Sequence, residues 1–117
     1  MSYILSITKN NIPILDKDAW KFLDELSASN TKEPAKEFIN LLNTITQEYP
    51  DITTLSEDKA DEGVWSDGPL INNARSNVMT LGILPHYAGE VADFIIKAAN
   101  KQGLIVFDFQ LGQIYRP

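Results

Sequence analysis

Residues 86–117, HYAGEVADFIIKAANKQGLIVFDFQLGQIYRP, decide the fold. Within them Val91, Phe94, Ile95 and Ala98 recur at i, i+3, i+4 and i+7, the spacing of one face of an amphipathic helix. Lys97 and Lys101 fall in its last turn, where cations suit the helix dipole. Gly103 can then take the left-handed position that ends it. Leu104-Ile-Val-Phe107 follows at once, too short for a second helix and apolar enough for an inner strand. Leu111-Gly112 reads as a turn, and Gln113-Ile114-Tyr115 as a short returning strand.

The stretches upstream supply elements to pack against this unit. Tyr3-Ile-Leu-Ser-Ile-Thr8 is apolar and β-branched and predicts a first strand, closed by Lys9-Asn-Asn-Ile-Pro13. Asp16 is the expected N-cap of a helix whose face is Ala19, Phe22, Leu23 and Leu26, with Trp20 on the flank. A second helix should begin near Glu33-Pro34 and run through Phe38, Leu41, Leu42, Ile45 and Tyr49 until Pro50 stops it. Val64–Ile71 is expected as a strand interrupted at Asp67-Gly68-Pro69, a turn signal. After a polar loop at Asn72–Asn77, Val78–Leu84 predicts another strand. The order β, α, α, β, β, α, β, β implies an α+β two-layer sandwich, with a mainly antiparallel sheet and helices on one face. A split β-α-β of ferredoxin-like type, with one extra helix and a terminal hairpin, uses every element.

Composition sets the function classes. At 117 residues, 44% hydrophobic and 22% charged, the chain is expected to form one soluble domain, residues 1–117. Sixteen acidic residues against ten basic ones give a net charge of −6, a field that repels nucleic acid and anionic membranes and attracts basic partners. No cysteine is present, which removes disulfides and thiolate chemistry. The N-terminus lacks the layout of a signal peptide, and no apolar run approaches the roughly 20 residues of a membrane span. A cytoplasmic location is the expectation.

Catalytic inventories fail in turn. His86 is the single histidine, so a two-histidine zinc site has no ligands, and no serine lies in a GxSxG elbow. Asp58-Lys-Ala-Asp-Glu-Gly63 imitates the start of a calcium loop. Its third position is Ala60, however, and Pro69 stands where the bidentate glutamate belongs. Glycine-rich phosphate loops are absent, and the basic residues are scattered. No enzyme activity, metal or other cofactor is expected. Between Asp51 and Asp67, six carboxylates face the single Lys59, so most of the net negative charge sits in one stretch without helical or strand periodicity.

Three segments carry a resemblance: Glu48-Tyr-Pro-Asp51, Val64-Trp-Ser-Asp-Gly-Pro-Leu70, and the run from Ala98 to Pro117. Together they resemble a group of small bacterial immunity proteins encoded beside polymorphic or contact-dependent growth inhibition toxins. Phe109 departs from that pattern, which has proline between the aspartate and the glutamine. The resemblance implies a cytoplasmic protein that neutralises a cognate toxin, such as a nuclease, by direct contact. Such a toxin with a basic substrate channel would suit carboxylates. Charge placement then names Asp51, Glu57, Asp58, Asp61, Glu62 and Asp67 as electrostatic contacts. Trp65 is their apolar anchor, or alternatively a core residue. The alternative function is a stand-alone ferredoxin-like module that regulates or binds a small molecule. The C-terminal hairpin would offer an edge for a homodimer.

Overall fold

The computed structural model describes residues 2–117. Four strands form one sheet: β1 (Tyr3–Thr8), β2 (Val78–Ile83), β3 (Ile105–Asp108) and β4 (Gln113–Tyr115), in the order β2-β1-β3-β4 with every neighbouring pair antiparallel. Three helices accompany them: α1 (Asp16–Ala28), α2 (Lys36–Glu48) and α3 (Ala88–Lys101). β2 and β3 run the same way with β1 between them and α3 connecting them, which is a split β-α-β unit. The β3–β4 hairpin completes the expected C-terminal architecture, and the antiparallel sheet packed against α2 and α3 makes the α+β two-layer sandwich.

Alternation along the strands sorts the core. Leu5, Ile7, Met79, Leu81, Ile83 and Val106 share one sheet face, as period-two strands require. All six are buried, together with Phe38, Leu41, Leu42 and Ile45 of α2 and Val91, Ile95 and Ala99 of α3. Val78, Ile105 and Phe107 lie on the other face and bury Ala19 and Leu23 of α1. Trp20 meets Phe107 edge-on at 5.1 Å and Phe109 at 5.4 Å, favourable aromatic geometry. The helices therefore do not all share one face: α2 and α3 cover one side and α1 crosses to the other. The cause is the apolar pair Ile105 and Phe107, which would otherwise be exposed.

Local chemistry explains the ends. α3 closes in a Schellman motif: the Leu104 amide donates to Ala99 O at 2.9 Å and the Gly103 amide to Asn100 O at 3.0 Å. Gly103 has φ +78°, which glycine adopts without a Cβ clash. Two helix starts differ from expectation. Asp16 is the first helical residue of α1 rather than its cap, Leu15 holding that position, and α2 is capped at Ala35, leaving Pro34 outside.

The larger difference is Val64–Ile71, which is not a strand. Trp65 makes one bridge to Ile83, and Ala74 another to Met79. Between them Leu70–Asn73 forms a 3-10 turn. Pro69 has no N–H to give a ladder, and the Asp-Gly-Pro turn breaks the run before pairing can spread. The segment still protects the edge of β2, since Ser66 donates to Gly82 O at 2.9 Å and Leu84 to Val64 O at 2.8 Å.

The Thr8 hydroxyl is fully buried without a hydrogen-bond partner. A desolvated polar group without a partner costs about 1–3 kcal/mol. Thr8→Val removes that group while keeping the β-branched shape, and is expected to raise unfolding free energy by about 1 kcal/mol in urea denaturation.

Candidate functional site

The segment between α2 and β2 holds the residues that the charge pattern singles out. A 3-10 turn at Ile52–Thr54 and a second at Glu57–Glu62 are its regular parts. Asp51 precedes the first. Its Oδ1 accepts from the Thr53 amide at 3.0 Å and the Thr53 hydroxyl at 2.8 Å, and its Oδ2 accepts from the Leu70 amide at 2.8 Å. Burial alone would raise its pKa, but the Leu70 and Thr53 donors outweigh it and hold the carboxyl below the ordinary aspartate value.

The two short motifs are thus one joint. Asp51 reaches Leu70, while the Trp65 indole N–H donates to Tyr49 O at 3.0 Å. Tyr49 in turn donates its hydroxyl to Glu90 at 3.1 Å and meets Phe94 edge-on at 5.5 Å, tying the segment to α3. Trp65 is only 2% exposed, so it is a core residue and not a surface anchor. Asp51 likewise acts first inside the fold. Gly68 is where the segments touch: a Cβ there would lie 2.7 Å from Asp51 Oδ1 and 2.8 Å from an Ile52 side-chain carbon.

Beyond this joint the remaining candidates separate. Glu57, Asp58, Asp61 and Glu62 are all exposed on the second 3-10 turn. Asp67 is exposed too, but lies across the joint, where it accepts from the Asn73 amide nitrogen at 3.1 Å. Among the described residues, none of these five forms an ion pair; the three ion pairs present are Lys9–Glu37, Lys97–Asp93 and Arg116–Asp16. No group of three or more acidic or histidine side chains among the described residues is arranged to hold a metal ion.

Other side chains emerge only in three dimensions. Asp108 is 1% exposed within β3. It accepts from the Tyr3 hydroxyl and from the Gln110 and Leu111 amides, both at 3.0 Å. Burial and Asp108 together push the Tyr3 hydroxyl up to about 12. Gln110 clasps the Ile4 backbone, accepting from its N–H at 2.6 Å and donating to its C=O at 2.9 Å. Asn30 does the same at the far end of the sheet, its Oδ1 accepting from the Asn77 and Val78 amides at 2.7 and 3.1 Å. An aspartate within the apolar run Ile105–Asp108 was the visible signal for the first of these. For Gln110 and Asn30 no local signal exists.

Two clefts border these features. One of about 300 Å³ lies between α2 and the joint, lined by Leu42, Asn43, Asp51, Leu70 and Ile71 among others. A groove of about 450 Å³ runs along α3 beside Tyr3, Asp108 and Tyr115. No helix among the described residues is long and apolar enough to cross a membrane.

Compared with known proteins, the chain matches no family model, no curated protein and no solved structure.

Two outcomes test the joint. Gly68→Ala must displace Asp51 or Ile52, and a loss of about 1–3 kcal/mol is expected in urea denaturation. Asp51 has a folded pKa below its unfolded value, so its contribution is complete above pH 3.8 and is lost as pH falls through the folded value. Asp51→Ala should be less stable at neutral pH, and its stability should fall less steeply than wild type below that point; parallel acid profiles would remove the ionised carboxylate from the joint.

Proposed function

We propose that this chain is a protein-binding inhibitor of immunity type, which neutralises a cognate bacterial toxin by direct contact and performs no catalysis. The observation that supports it is the second 3-10 turn. Among the described residues, Glu57, Asp58, Asp61 and Glu62 are exposed there without ion-pair partners, on a segment fixed to the core through Asp51 and Trp65. Unneutralised carboxylates held on a fixed support attract a basic protein surface and raise its association rate. A toxin nuclease with a cationic substrate channel is a partner of that chemistry. The same charge disfavours nucleic acid and anionic membranes as ligands. The cytoplasm, where such a toxin acts, is the proposed compartment.

A small-molecule module is the second reading, favoured by the groove beside Tyr3, Asp108 and Tyr115. Its floor includes Ala88, Gly89 and Ala92, small residues that leave room for a ligand. β4 is an edge strand, so a homodimer paired through it is compatible with either reading.

Co-expression with the protein encoded immediately upstream tests the first reading. Wild type should rescue growth and co-purify. Glu57→Gln/Asp58→Asn/Asp61→Asn/Glu62→Gln should weaken the complex on the order of tenfold at low salt and flatten its salt dependence. Unchanged affinity and salt dependence would sink the acidic-surface account.

A further inference from the structure

The cleft of about 300 Å³ beside α2 has a composition that names its occupant. Ile39 and Leu42 give it one apolar wall and Leu70 and Ile71 another, with Asn43, Thr46 and Thr54 contributing polar groups. Asp51 is its one charged lining residue. An ionised carboxylate offers about four acceptor positions. Oδ1 already receives two donors and Oδ2 one, which leaves a position on Oδ2. The Leu70 and Thr53 donors also keep the group ionised.

We propose that this cleft receives a lysine or arginine side chain of the protein partner, with its aliphatic stem along Leu42 and Ile71 and its cationic head on Asp51. The inference rests on the partner-binding reading and deepens it. An anion would be repelled by Asp51, and a neutral apolar group would cover a charged acceptor without satisfying it. A basic side chain matches both halves, since its methylenes cover apolar surface while its nitrogen donates to the carboxylate. Position agrees as well. Pro50 lines this cleft and also the neighbouring one formed with Lys59 and Glu62, so the cleft adjoins the exposed acidic turn. A partner docked on that turn would have basic residues within reach of Asp51.

The test uses n-butylguanidinium chloride as the probe and 1-pentanol as its neutral counterpart, followed by amide chemical shifts of the isotope-labelled protein. Butylguanidinium should shift the Leu70 amide saturably, because that N–H shares Oδ2 with the probe, and added salt should weaken the effect. Asp51→Asn should reduce affinity on the order of tenfold, the loss of a charge-assisted hydrogen bond. That variant also loosens the joint. Ile71→Lys is therefore the second variant: Ile71 is 42% exposed at the cleft wall, and an ammonium placed there should abolish the shifts without disturbing the core. Equal shifts with 1-pentanol, or butylguanidinium shifts that persist in Ile71→Lys, would overturn the assignment. Saturable binding by a protein that fails the rescue assay would overturn the partner as source and leave a free organic cation. Rescue without probe binding would overturn the cleft and leave the partner reading intact.

Discussion

The Asp51 carboxylate is the contact on which the irregular quarter of the chain depends. Between Tyr49 and Asn77 the backbone forms only short 3-10 turns and meets the sheet only at isolated bridges. Its N–H and C=O groups still need partners once they leave water. Asp51 supplies acceptors for Thr53 and Leu70, Tyr49 O takes the Trp65 indole, and Asn30 takes the Asn77 and Val78 amides. Side chains thus supply partners for groups that these short turns leave unpaired. What they hold is the outer cover of β2 and, between the two clasped ends, the exposed turn at Glu57–Glu62.

The sheet shows the same device at its opposite end. β1 is central, paired with both β2 and β3, yet its first residues outrun the four residues of β3. Gln110 extends the pairing by holding both backbone groups of Ile4, and Asp108 anchors the turn that carries Gln110. A buried carboxylate is costly unless its acceptors are filled. Here Tyr3, Gln110 and Leu111 fill them. Asp51 and Asp108 are therefore both engaged in joining elements.

Legibility in the sequence followed the range of the forces. The stripes of α1, α2 and α3, the strands β1, β2, β3 and β4 and the glycine at the end of α3 are readable, because periodicity and backbone sterics are local. Val64–Ile71 misled because its apolar residues suit a strand while Pro69 and the need to reach Asp51 prevent one. Which sheet face α1 would choose depended on Ile105 and Phe107, more than 75 residues away in sequence. Of the candidate site, exposure of the acidic turn was readable from charge density. The internal duty of Asp51 had only the Asp-Ile-Thr spacing as a signal, a pattern suited to a side chain that accepts from the backbone two residues on. Trp65 could be read either way until its indole was seen to bond Tyr49.

Native-state hydrogen exchange distinguishes, residue by residue, a fixed frame from the solvated acidic turn that it carries. Opening free energies differ across a fold, from near zero in loosely held segments to the global value in the core. The Leu70 amide and the Trp65 indole N–H are expected to exchange as slowly as Met79 and Leu81 in β2, while amides from Glu57 to Glu62 exchange orders of magnitude faster. Exchange of Leu70 and Trp65 at the rate of the acidic turn would contradict a fixed frame, because the segment would then be a loose loop rather than a mounted surface.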